Sequence, residues 1–200
     1  MRNRLLNIVL VVLATSCYTA CMLESATQTE PAHAVPSRGL ASVRSFPFQE
    51  AWYGMYFRED KVGYSHFKIQ PAGKNFVINT DSLMRLTAMK KTSEVSMEER
   101  TEVRPDLTLL SFQSRVSMNG QKMTVVGKTD AKRLYVDITV DKEKLRKEFP
   151  FEGKIYHCSA VSFMPILRGL KDGRTDSFRI FDPQKLGFEQ IEQTLSTVKG

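Results

Sequence analysis

The sequence predicts a mainly β protein, an antiparallel meander forming a curved sheet or open half-barrel, with one short helix near residues 162–168. Three observations carry this. From Trp52 onward the apolar residues recur with period two, the spacing of a strand with one buried face. Asn119-Gly120 sits between two such runs and offers the two positive-φ residues of a tight hairpin. Helical signals are concentrated in one short segment after Ser162. A hydrophobic share of 42% and a charged share of 26% in 200 residues exclude a collagen-like or wholly disordered chain. The apolar residues include no continuous run of about 20, which excludes a multi-spanning helical membrane protein.

The first element is an export signal. Arg2 and Arg4 precede an apolar stretch from Leu5 to Ala14, the length of a signal-peptide core. Leu13-Ala14-Thr15-Ser16-Cys17 follows, and resembles the bacterial lipobox, in which small residues precede a Cys that receives diacylglycerol. Residues 1–16 are therefore expected to be removed and Cys17 to carry lipid. Cys21, after Ala20, is the alternative acceptor, and Ala32-His33-Ala34 has the form of an ordinary secretory cleavage site. Tyr18 and Thr19 follow Cys17 with no Asp of the inner-membrane retention kind, so the expected place is the outer membrane, facing the periplasm; a secreted or periplasmic soluble product is the alternative. Residues 17–46, with Pro31, Pro36 and many small polar residues, read as the lipidated start and a flexible tether, and 47–200 as the β-rich domain.

The strands follow in order. Ala51 to Gln70 reads as a hairpin turning at Glu59-Asp60, with Tyr53, Met55, Phe57, Val62 and Tyr64 on one face and Gly63 across from Tyr56. That aromatic face is a candidate surface for an apolar ligand, although plain core packing is the better account of it. Residues 75–89 and 92–104 read as two further strands, the second solvent-facing or near an edge because of its Glu and Arg content. The Asn119-Gly120 turn sets Met118 opposite Gln121, Val116 opposite Met123, Ser114 opposite Val125 and Phe112 opposite Gly127. In the next strand Leu134, Val136, Ile138 and Val140 point inward. Asp141 to Lys147, mixed in sign, reads as an exposed turn or strand end. Ser162 can cap a helical turn over Phe163 to Arg168, with Pro165 in its first turn and Gly169 ending it. Phe178 and Ile180 mark another strand, and 187–198 fits either strand or helix, strand being favoured by its surroundings.

Few residues invite chemistry. His157-Cys158 is the one adjacent pair that suggests a nucleophile, but neighbours in an extended segment point to opposite faces, and Cys158 reads as a small buried residue. His66 reads as a satisfied sheet histidine. No H-x-x-x-H, C-x-x-C, phosphate-binding glycine loop or G-x-S-x-G is present, so no metal site, cofactor or catalytic residue is expected. The formal charge of +7 falls to 27 − 22 = +5 once residues 1–16 are removed, and it is dispersed, so nucleic acid is not an expected partner.

Trp52-Tyr53-Gly54-Met55-Tyr56, Lys61-Val62-Gly63-Tyr64-Ser65, the Leu107 to Gly127 hairpin and the run from Ile155-Tyr156-His157 to Pro165-Ile166-Leu167-Arg168-Gly169-Leu170 form a pattern. It resembles the β-rich, non-catalytic region that precedes the catalytic domain in bacterial exported transglutaminase-like proteins. More distantly it is similar to exported half-barrel β-domains of the lipoprotein-carrier type. The resemblance implies a binding or accessory domain without the Cys-His-Asp enzyme. The expected partners are the membrane, through the lipid, and a separately encoded transglutaminase-like or other envelope protein. An accessory half or truncated relic of such an enzyme, and a carrier of a lipid or other apolar ligand, are the alternatives.

Overall fold

A computed structural model describes residues 46, 49–88, 91–167 and 172–194. The signal segment, Cys17, Cys21 and nearly all of the tether lie outside these residues. The chain divides into two compact units, one within Ser42–Lys154 and the other, among the described residues, from Ile155 onward.

The first unit is an eight-stranded antiparallel sheet. Its strands are β1 (Glu50–Phe57), β2 (Asp60–Ala72), β3 (Asn75–Ala88), β4 (Lys91–Val103), β5 (Leu109–Met118), β6 (Gln121–Thr129), β7 (Arg133–Val140) and β8 (Glu143–Pro150). They lie side by side in chain order, and β1 and β8 are the two edges, so the sheet is an open meander and not a closed barrel. The period-two pattern produces this directly, because alternate residues of every strand fall on one face. Along that face the register runs from Ile69 through Ile78, Thr101, Phe112 and Gly127 to Val136, and every member of this row is buried. Removing such aliphatic and aromatic side chains from water contributes about 1.5–3 kcal/mol each.

The hairpin of β5 and β6 has the register its turn residues dictate. Met118, Val116, Ser114 and Phe112 face Gln121, Met123, Val125 and Gly127, and Asn119 and Gly120 take φ of 50° and 86°. The Phe112 ring lies directly over Gly127, where a Cβ would collide with it. The bare backbone of Gly127 is thus part of the core packing.

Three expectations are corrected. Of the two alternatives for β4, solvent-facing holds for one side of the strand, whereas near an edge does not, since β4 lies between β3 and β5. Its Glu94, Glu98 and Arg100 occupy one solvated face, with Glu94 paired to Arg85 at 2.6 Å and Glu98 to Arg115 at 3.5 Å. The opposite face carries Val95, Met97, Glu99, Thr101 and Val103, so the charge marks a side and not an end of the sheet. Only Asp141 and Lys142 of the segment read as a turn belong to one, with Asp141 at φ 53°. Glu143–Pro150 is the edge strand β8, whose charges pair across to β7, Arg146 with Asp137 at 2.7 Å and Arg133 with Glu148 at 3.1 Å. An edge made of alternating charges resists pairing with another chain. The first hairpin turns at Arg58-Glu59, one residue earlier than expected.

The second unit is built on three strands, β9 (Tyr156–His157), β10 (Thr175–Asp182) and β11 (Gly187–Thr194), in the order β11-β10-β9. β10 and β11 form an antiparallel hairpin, so the ambiguous stretch is strand as far as Thr194; Leu195 and Val198 lie outside the described residues. β9 pairs with β10 in parallel, which the sequence reading did not anticipate. Between them run two single helical turns, α1 (Cys158–Val161) and α2 (Met164–Leu167). α2 falls where a helix was expected, with Pro165 in its first turn, whereas Ser162 ends α1 and does not start α2. Tyr156, Val161, Phe163, Met164, Phe178, Ile180 and Phe181 are all buried, and the Tyr156 and Phe178 rings meet edge to face at 5.6 Å.

Candidate functional site

β1 and β2 carry the most unusual surface among the described residues. Among the described residues seven large apolar side chains are exposed, and five of them, Trp52, Tyr53, Tyr56, Phe57 and Tyr64, belong to this hairpin. Trp52 and Tyr56 are each 64% exposed, Phe57 58% and Tyr53 53%. Burying a ring of this size would contribute about 1.5–3 kcal/mol, so leaving four of them more than half exposed along one strand forgoes considerable stability.

The faces differ from those read in the sequence. Tyr53 pairs with Ser65 and Met55 with Gly63, so Tyr53 and Met55 share the core-side face with Phe67, on which the Tyr53 ring stacks at 5.6 Å. Phe57 has the same parity as Tyr53 and Met55 along β1. Tyr64 pairs with Gly54 and lies on the opposite face, with Trp52 and His66. The register shifts between Met55 and Tyr56, where Met55 faces Gly63 but Tyr56 faces Lys61, leaving Val62 as the extra residue of a bulge. The five residues expected to share one face therefore do not, and Gly63 lies across from Met55, not Tyr56. The physical cause is the turn: Arg58 adopts φ 58°, a left-handed conformation that the side chain does not favour, and this moves the register away from the one read from Glu59-Asp60.

The outer face holds a cluster that the sequence reading did not assemble. The Trp52 and His66 rings stack with centroids 4.1 Å apart and planes 17° apart, and Tyr64 tilts against Trp52 at 5.6 Å. His66 Nε2 donates to Glu50 Oε1 at 2.8 Å, and its Nδ1 is 3.7 Å from an Asp81 carboxylate oxygen. His66 is accordingly the satisfied sheet histidine expected. Tyr56 folds back over Gly54, where a Cβ would lie 2.8 Å from Tyr56 Cε2. The alternation Trp52, Gly54, Tyr56 was the available signal for this face.

A second arrangement surrounds His157, which is fully buried and serves as N-cap of α1. The Ser159 amide donates to its Nδ1 at 3.4 Å, Ser159 Oγ lies 3.0 Å from the same nitrogen, and Cys158 Sγ lies 3.7 Å from it. The expectation that His157 and Cys158 point apart is corrected here. Extended backbone ends at His157, with φ −107° and ψ 149°, and the helical turn beginning at Cys158 swings the sulfur back to the ring. Accepting from the Ser159 amide at Nδ1 leaves the ring proton of the neutral imidazole on Nε2. The nitrogen facing the thiol is thus already occupied in capping the start of a helix.

No helix among the described residues is long and apolar enough to cross a membrane. Comparison of the chain with protein-family models, with curated proteins and with solved structures finds no match.

Proposed function

We propose that the protein is a non-enzymatic lipoprotein of the cell envelope, held in the outer membrane through lipid on Cys17, and that its eight-stranded sheet is a binding module whose contact surface is the β1–β2 hairpin. The observation that carries this reading is the concentration of exposed Trp and Tyr side chains on one edge hairpin. These residue types dominate the energetics of recognition surfaces, because each combines a large apolar body with a polar tip. The lipobox-like run supplies the anchor, and the resemblance to regions preceding transglutaminase-like domains supplies the accessory role, with a separately encoded catalytic or envelope protein as its associate. The carrier alternative loses support, because the residues that were to line one apolar face lie on two. The 3.7 Å approach of Cys158 Sγ to His157 Nδ1 favours a second reading, a thiol enzyme, but the capping role of Nδ1 accounts for the same geometry.

The anchor is tested by growing expressing cells with a palmitate analogue. Labelling that disappears in Cys17→Ala is the expected result; an unlabelled wild type, or labelling that persists in the variant, refutes it. The thiol reading is tested on the purified chain with acyl and peptide substrates, where an activity abolished by Cys158→Ser would replace the binding module with an enzyme.

A further inference from the structure

We infer that the β1–β2 hairpin docks into the interfacial layer of a phospholipid bilayer, beside the lipid on Cys17; the inference rests on the anchored reading above and names the occupant of its contact surface.

Four observations select a bilayer. First, the exposed aromatics lie on both faces of the hairpin, Trp52, Tyr56 and Tyr64 on one and Tyr53 and Phe57 on the other. A protein partner covering one face would leave the other in water, whereas a lipid interface surrounds a protruding edge on both sides. Second, Trp and Tyr are the side chains that settle at the boundary between headgroups and acyl chains. Third, the tip reads Arg58-Glu59-Asp60-Lys61 and sums to zero charge, so no anionic or cationic surface is required. Fourth, β1 is the first strand of the described residues, and its Glu50 follows Cys17 by 50 − 17 = 33 residues, which even fully extended reach no further than about 115 Å.

The depth follows from the sheet. β1 is an edge strand paired only with β2, so the backbone groups along its outer side need water or headgroups and cannot enter hydrocarbon. The aromatics therefore reach the level of the lipid carbonyls and stop.

Trp52 is the only tryptophan in the chain and reports on this hairpin alone, whatever else holds the protein to a membrane. The full chain, purified from expressing cells, is bound to phosphatidylcholine vesicles brominated either near the carbonyls or near the acyl ends. The expected result is a blue shift of Trp52 emission and quenching by the shallow bromines exceeding that by the deep ones, unchanged at high salt. Tyr56→Ser with Phe57→Ser should diminish both signals while the chain still floats with the vesicles. Vesicle-bound chain whose Trp52 stays unshifted and unquenched overturns the inference and leaves the anchor intact. Quenching confined to anionic vesicles and reversed by salt overturns it as well. Mass measurement of acyl groups on Cys17 in the same sample decides the anchor separately: a lipid-free Cys17 refutes the anchored reading, while quenching still decides the hairpin.

Discussion

The β1–β2 and β5–β6 hairpins belong to the same sheet and have two-residue turns, yet they use alternation oppositely. In β5–β6 the alternation sorts residues cleanly: Phe112, Val116 and Val125 are buried on one face while Arg115 and Val126 are exposed on the other. In β1 no residue is buried, and large aromatics occupy both parities. A central hairpin is covered by strands on either side, so its pattern encodes a core. An edge hairpin is freed from that demand, and its apolar residues are available for something outside the sheet. The difference teaches that period two identifies a strand but does not say what its apolar face meets.

The largest effect should separate the two hairpins at their glycines. Gly127→Val places new atoms against the Phe112 ring in the core and should destabilise the sheet by about 3 kcal/mol. Gly54→Ala meets only the exposed ring of Tyr56 and should stay within about 0.5 kcal/mol. Chemical denaturation measures both, and equal losses would break the contrast between centre and edge.

Next come the turns. Asn119 suits its φ of 50°, and its Oδ1 also accepts from the Glu94 amide at 3.1 Å. Asn119→Ala should therefore cost about 1 kcal/mol. Arg58, strained at φ 58°, should gain from Arg58→Gly by about 0.5 kcal/mol. Opposite signs in melting temperature would sharpen the view that β5–β6 is locally encoded and β1–β2 is not.

Tyr56→Ser with Phe57→Ser should change stability by no more than about 0.5 kcal/mol, because neither ring contributes to the core. A larger loss, read from the same denaturation curves, would mean that the edge aromatics pack and are not reserved for a surface.

The smallest effect is on pH dependence and lies beside β5. Burial raises the pKa of Asp106, but hydrogen bonds from Lys154 Nζ at 2.8 Å and Thr108 Oγ1 at 2.6 Å outweigh it, and the pKa falls below its usual value. A depressed carboxylate contributes stability above its unfolded pKa, and loses it as pH falls through the lower folded value. Titrating stability downward from about pH 4 should show this loss, and Asp106→Asn should flatten it. The group is part-exposed and screened by solvent, so the change is modest.

Much of the central sheet was legible because its signals are local. Asn119-Gly120 admits one register, and the inward residues of β7 follow from alternation alone. The β1–β2 register differs by one residue because the positive φ falls on Arg58, while Asp60, the residue of this tip that best tolerates it, begins β2, and the bulge at Val62 leaves no trace in composition. The charges of β4 and β8 were misread because composition reports exposure of a face but not position within the sheet. α1 escaped notice because it is a single turn capped by a histidine, an uncommon capping residue. In the candidate site the aromatics were visible individually, and their division between two faces depended on the register that the sequence did not determine.

The order of the strands has a consequence for how the molecule comes into being. Every pairing in β1 to β8 joins consecutive strands, so each closes a short loop and needs no distant segment to arrive first. Such a chain can assemble from one end as it is delivered, each new hairpin templated on the last, and a half-delivered product is already a shorter version of the finished sheet. The parallel pairing of β9 with β10 alone must wait, because β10 emerges only after the helical turns that follow β9.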